Sequence, residues 1–191
     1  MDECSNRSRR GKIGIIMVNV EWIVEVDVND NFLDKIDRIV AHDKTDLRLH
    51  REVMILLYTD PSRQHFLLQR RSLEKKQWGG FWTLSATGHV DFTDISRLDT
   101  DGYLTAAMRE VKEEIGVKAK HLKLVGKIIQ ENAINHALMG IVMGEYSGEL
   151  NIESEEVSEV REFTKETLSK ADVKLTPGAK ACLEYLGILK K

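Results

Sequence analysis

Three carboxylates crowd one short stretch of the chain, Arg109-Glu110-Val111-Lys112-Glu113-Glu114-Ile115-Gly116-Val117. In a helix, Glu110 and Glu114 stand one turn apart, with Glu113 beside them. Like charges at this spacing repel one another unless a cation lies among them. An all-oxygen donor set suits a hard divalent ion, and magnesium commonly joins carboxylates to the phosphates of a substrate. Water activated by such an ion, near a further carboxylate, is the nucleophile of a hydrolysis. The same residues would equally make the polar face of a solvated helix, with Arg109 paired to Glu113 four residues on. What surrounds them decides between the two.

A second group is basic. Arg70, Arg71, Lys75 and Lys76 precede the glycine-rich run Trp78-Gly79-Gly80-Phe81-Trp82. Guanidinium and ammonium groups beside such a loop can clamp phosphates, and can also be plain strand-end surface charges. Trp78, next to two glycines, is the better candidate for a substrate wall, and Trp82 for core. Glu131, Glu155 and Glu156 are candidates for one more carboxylate from outside the cluster, the last two slightly ahead.

These residues need elements to hold them. Leu104, Met108, Val111 and Ile115 recur at helical spacing and predict a helix from Tyr103 with one apolar stripe. All three glutamates then share the opposite, polar arc. Asp101 is the expected N-cap and Gly116 the expected C′ residue. Upstream, 22–28 alternates like a half-exposed strand and Asn29-Asp30-Asn31 is a turn. Residues 53–58 form a buried strand, and Phe66-Leu67-Leu68 the second arm of a hairpin around Asp60-Pro61-Ser62. Residues 83–90 read as strand, and 91–101, rich in Asp, Thr and Ser, as an exposed loop. Strands are expected at 122–130 and 137–146, a short helix around Leu168, and a terminal helix opened by Pro177. The class is α/β (α+β) with a mixed sheet.

Composition sets the bounds. The chain has 191 residues, 42% of them apolar and 31% charged, with a formal net charge of -3. That supports one domain of ordinary size, and nothing marks the whole chain as a nucleic-acid or membrane binder. An anionic substrate therefore needs a local basic patch and a metal. The two cysteines, Cys4 and Cys182, have neither disulfide nor metal-ligand spacing, which points to a reducing cytoplasm. Residues 1–12 read as a solvated, disordered leader, and Met17 is a second position at which translation could begin. The apolar run 13–18 is too short for a signal sequence.

Gly88, a loop and then Arg109 to Val117 resemble the Nudix box, G-x5-E-x7-R-E-U-x-E-E-x-G-U with U apolar. The second half matches throughout. Asp101 lies eight residues before Arg109, where the family has its first Glu, and Gly88 to Asp101 is seven residues longer than the pattern. The insertion is placed at 92–100. The resemblance implies a Nudix α/β/α sandwich forming a single domain over 13–191, with an N-terminal strand extension at 20–50 and the box at 88–117. It implies Mg2+, or Mn2+, held by Glu110, Glu114, Glu113 and the Gly88 carbonyl. Catalytic roles fall to Glu113, Glu114 and Arg109, which orients Glu113.

The segments Leu67-Leu68-Gln69-Arg70-Arg71-Ser72 and Ser85-Ala86-Thr87-Gly88-His89-Val90, with His42 and Leu49-His50 upstream, are similar to the isopentenyl-diphosphate isomerase-like branch. There, the positions of Arg71 and Lys75 bind the diphosphate. The isomerase carries a cysteine where this chain has Thr87, and glutamates where it has Asn135 and Ala137. His42, His50 and His89 resemble its metal histidines. Without those glutamates, a structural or polar role is expected for them, with His89 contacting phosphate.

The resulting expectation is a pyrophosphohydrolase acting on a nucleoside diphosphate, free or linked to another group. The alternatives are an isopentenyl-diphosphate isomerase and a non-catalytic diphosphate-binding regulatory module. The expected partner is a small diphosphate, with no membrane or nucleic-acid role, in a monomer or homodimer.

Overall fold

The computed structural model of the chain describes residues 20–146, 148–152 and 155–190. The expected leader and the apolar run after it lie outside the described residues. Strands β1 (Trp22–Val26) and β2 (Phe32–Asp37) form a hairpin, closed by the Asp27 carboxylate, which accepts from the backbone of Asn29 and Asn31. A single turn, α1 (Arg38–Ala41), leads to β3 (His50–Tyr58) and β4 (Phe66–Arg71). Two short strands, β5 (Trp82–Thr83) and β6 (Ala86–His89), precede the long helix α2 (Tyr103–Ile115). Then come β7 (Lys120–Asn132), β8 (Asn135–Glu145), β9 (Val157–Phe163), α3 (Lys165–Lys170) and α4 (Pro177–Tyr185).

All nine strands join one mixed sheet. Strand β3 is its axis: it runs parallel to β8 along its whole length and antiparallel to β6 and β1. Side chains alternate across a strand, and β3 uses both faces. Val53, Ile55 and Leu57 pack with Ala106, Ala107, Val111 and Ile115 of α2. Met54, Leu56 and Tyr58 pack with Ala179, Cys182 and Leu183 of α4. Each fully buried aliphatic group contributes about 1.5–3 kcal/mol. The result is the mixed-sheet α/β/α sandwich expected from the sequence, with α2 on one face and α4 on the other. Helix α4 starts as predicted, with Pro177 in its first turn and Thr176 capping the Ala179 amide.

Three local expectations need correction. First, β3 and β4 do not form a closed hairpin: they meet in one register pair, Tyr58 with Phe66. Strand β4 turns away to pair with β9 and β5. The 83–90 segment is broken at Leu84-Ser85, and the break has a use. The buried Ser85 hydroxyl accepts from the Leu57 amide at 2.8 Å and donates to the Leu67 carbonyl at 2.6 Å. One side chain thereby stitches β3 to β4 where the ladder is missing.

Second, the buried side of α2 is Tyr103, Ala106, Ala107, Val111, Glu114 and Ile115, whereas Met108 is 56% exposed. The paired alanines let the helix lie close to the sheet, and that rotation carries Glu114 inward. The glutamates therefore do not share one solvent-facing arc. Third, Asp101 does not cap α2. Gly102, at φ +77°, occupies the N-cap, and the Asp99 carboxylate accepts from the Thr105 amide at 2.7 Å. Gly116 ends the helix at φ +71°, the left-handed C-terminal geometry predicted for it. Among the described residues, no helix is long and apolar enough to cross a membrane.

Candidate active site

Strands β3, β6 and β8 and helix α2, together with Arg71 of β4 and Thr83 of β5, border a cleft of about 1040 Å³. Its walls hold Gly88, Glu110, Glu113 and Glu114, and also Arg71, Lys75, His89 and Trp78. Residues far apart in the chain are thus brought to one cavity.

Arg109 organises the carboxylate wall. Its guanidinium donates to Asp94 at 2.8 Å, to Glu110 at 2.7 Å, to Glu113 at 3.3 Å and to the His89 carbonyl at 3.0 Å. Burial opposes its charge, but Asp94 and Glu110 outweigh that and raise its pKa. The acidic partner is Asp94, not Asp101. Asp94 is buried in a single 3-10 turn, Phe92–Asp94, inside the segment expected to be exposed loop. Asp101 instead faces Lys127 at 3.1 Å and is not among the residues lining the cleft. The signal for Asp94 was present: it stands six residues after Gly88, the spacing G-x5-E with Asp for Glu. Counting back from Arg109 missed it, because the inserted residues lie between Asp94 and the helix.

Glu110 and Glu114 are the chemically unusual pair. Burial pushes Glu110 up to about 8, against the pull of Arg109 and with the repulsion of Glu114. Burial raises Glu114 to about 7, against hydrogen bonds from the Thr87 amide (2.9 Å) and Gln69 Nε2 (2.7 Å). Two adjacent carboxyls that resist ionisation in the bare protein fit a site where a cation supplies the missing charge. Gly88 is part of the fit. A Cβ there would fall inside the Glu110 carboxylate, so only glycine lets that group lie against the strand. Glu113 is exposed, and among the described residues Arg109 holds it.

The facing wall is basic. Arg71 Nε donates to the Gln77 carbonyl at 3.2 Å, and Lys75 pairs with Glu156 at 2.7 Å. Arg70 turns out of the cleft to the Gly80 carbonyl. Of the three candidate outer carboxylates, Glu156 lines the cleft; Glu131 and Glu155 are exposed and not among its lining residues. Trp78 lines the cleft and Trp82 is core, as expected.

A second donor group adjoins the cleft, with His42, Glu52 and His89 in its lining. His42, His50, His89 and Glu52 place one donor atom each within 4.8 Å of one another. His50 Nδ1 lies 2.8 Å from the Arg48 carbonyl, and His42 Nδ1 3.3 Å from the Ile134 carbonyl. A proton on Nδ1 donated to each carbonyl would leave Nε2 free to act as a ligand. His50 Nε2 is buried without a hydrogen-bond partner among the described residues, and His42 Nε2 faces His89 Nε2 at 3.0 Å. Burial lowers the pKa of His42 and holds that of His89 well below the ordinary value. Burial opposes the charge of Glu52, but His50 and His89 hold its pKa down to about 2. Three imidazoles and a carboxylate could hold a metal ion of borderline softness. With no acid at positions 135 and 137, the sequence alone suggests only a polar role for these histidines. Glu52 supplies one from β3, two residues beyond His50, and Asn135 donates to it at 2.8 Å.

The NUDIX domain model matches residues 48–186. An uncharacterized Nudix hydrolase of Pseudomonas aeruginosa is 26% identical over 168 residues, covering 88% of this chain and 92% of that protein. The isopentenyl-diphosphate Delta-isomerase of Serratia proteamaculans is 27% identical over 157 residues, covering 77% of this chain and 81% of that one. The NUDIX domain of Shewanella oneidensis NrtR, solved with ADP ribose, shares the fold at a TM-score of 0.56 and 19% identity, over 73% of this chain and 85% of that one. With the box residues gathered on one wall of the cleft and the family model spanning most of the fold, the chain belongs to the NUDIX family.

Proposed function

We propose that this chain is a metal-dependent hydrolase of the diphosphate linkage in a nucleoside diphosphate, free or joined to another group. The observation that carries the reading is the pair of half-buried Glu110 and buried Glu114, both with raised pKa values, lining one cleft with Arg71 and Lys75. Magnesium, or manganese, would be held by Glu110, Glu114, Glu113 and the carbonyl of Gly88. When bound, the ion supplies Lewis acidity toward the phosphoryl oxygens and acidifies water. The protein's own groups do the rest. Arg71 and Lys75 bind the non-bridging oxygens and hold the diphosphate in line. Lys75 exchanges its contact with Glu156 for the substrate, and His89 adds a contact to phosphate. Glu113, tethered by Arg109 at the cleft mouth, takes a proton from the attacking water. Attack at phosphorus breaks one P–O bond of the linkage and gives two phosphate-terminated products.

ADP-ribose, seen with the Shewanella relative, belongs in the substrate panel. The test is a magnesium-dependent screen of nucleoside diphosphates and their conjugates, run with wild type and Glu114→Gln. Product release by wild type and its loss in the variant are expected. No release from any compound, or equal release by the variant, would overturn the reading.

The isomerase relatives and the histidine group favour a second reading, isomerisation of a five-carbon diphosphate. It needs an acid and a base at carbon. Position 87 is Thr, its amide committed to Glu114, and Asn135 and Ala137 carry no acid. Solvent-deuterium incorporation into isopentenyl diphosphate distinguishes the two readings.

A further inference from the structure

Gln69 is a long polar side chain in an otherwise apolar stretch of β4, 1% exposed, between Leu68 and the basic end of the strand. Burying an amide is unfavourable unless its groups are paired. Half of it is paired: Nε2 donates to Glu114 Oε2 at 2.7 Å. The other half, Oε1, has no hydrogen-bond partner among the described residues. The Thr87 amide of β6 donates to the same Glu114 oxygen at 2.9 Å. Two donors, one from each side of the cleft, therefore converge on Oε2. The opposite amide orientation would set two acceptors against each other, so the arrangement has one sense.

We propose that Gln69 is a positioning residue for metal binding: it fixes the Glu114 carboxylate in one rotamer, occupies Oε2, and presents Oε1 to the cation. This rests on the reading of Glu114 as a metal ligand. A carboxylate free to rotate would offer either oxygen, and would lose side-chain freedom on each binding event. One tied to β4 and β6 is ordered beforehand. Gln69 reaches no substrate position of its own, so it acts through Glu114 alone.

The test is Mn2+ affinity of the intact protein, read from the electron paramagnetic resonance signal of free Mn2+, with metal-free melting as a control. Gln69→Met keeps the volume and removes the donor; Gln69→Asn keeps the amide and withdraws its reach. Both are expected to weaken Mn2+ binding by about 10-fold, with substrate KM at saturating metal within about 2-fold of wild type. Glu114→Gln alone is expected to lose more, and adding Gln69→Met to it to change nothing further. Unchanged Mn2+ affinity in both folded single variants would overturn the proposal. So would an equal further loss in the Glu114→Gln background, since Gln69 would then act by another route. If Glu114→Gln itself binds Mn2+ like wild type, the metal-ligand reading fails, and this proposal with it.

Discussion

Asp94 Oδ2 lies 2.8 Å from Arg109 Nη2, tying the turn after β6 to the middle of α2. The pair is buried on the Asp94 side, and Arg109 has further acidic neighbours in Asp91, Glu110 and Glu113. Removing Asp94 leaves the guanidinium partly compensated but loosens its hold on Glu113. Asp94→Ala is expected to cost about 2 kcal/mol of stability and to reduce kcat by about 10-fold or more. Asp101→Ala, which only loses the contact with Lys127, should leave kcat within about 2-fold. Urea unfolding and steady-state kinetics on the two variants check this. Similar activity losses in both would return Asp101 to the site.

Legibility of the sequence divides along physical lines. The core of β3, the helix from Tyr103, the Pro177 start of α4 and the α/β/α class follow from periodicity and capping, which are local. Gly88, Glu110 and Glu114 follow from spacing. Asp94 was hidden because an insertion separates it from Arg109, and only its distance to Gly88 identifies it. The burial of Glu114 was hidden because a polar residue on a helix reads as outward-facing, while the rotation of α2 is set by Ala106 and Ala107 against the sheet. Glu52 and Gln69 carry no local signal: each matters through a neighbour from a distant strand.

The pH behaviour follows from the raised carboxyls. Glu110 at about 8 and Glu114 at about 7 both stand above the ordinary 4.5. A raised folded-state pKa contributes stability that is complete below the unfolded value and is lost as pH rises through the folded one. The metal-free protein is therefore expected to melt at progressively lower temperature from pH 5 to pH 8, and Glu110→Gln to flatten that decline. Metal binding must displace the same protons, so apparent Mn2+ affinity should rise by up to about 100-fold per pH unit below pH 7 and level off above pH 8. A binding profile flat from pH 6 to 8.5 would contradict these shifts.

Gly88→Ala tests the packing of Glu110 against the strand. The added methyl would occupy the space of the Glu110 carboxylate, so the side chain must leave its place. Melting is expected to drop by a few degrees, corresponding to about 1–2 kcal/mol. Mn2+ affinity is expected to fall by about 10-fold or more. Unaltered metal affinity in a folded Gly88→Ala protein would show that Glu110 has another productive position.

The histidine group makes a separable prediction. After chelator treatment, calorimetry should detect a Zn2+ site that survives Glu110→Gln. Glu52→Gln and His50→Gln should each weaken it by about 10-fold or more. Loss of zinc binding on changing Glu110, with no effect of Glu52 or His50, would assign the ion to the box instead.

Ser85 bears on what this protein can accept. The Glu110 carboxylate lies against Gly88 of β6, which pairs with β3, while Arg71 ends β4 and Lys75 follows it. With only Tyr58 and Phe66 in register, the gap is held by a hydroxyl that bonds Leu57 and Leu67 together. On the proposed function, the reach from ion to cationic grip would be fixed in part by this core hydrogen bonding, so that the sheet itself would help set the length of phosphate chain accepted.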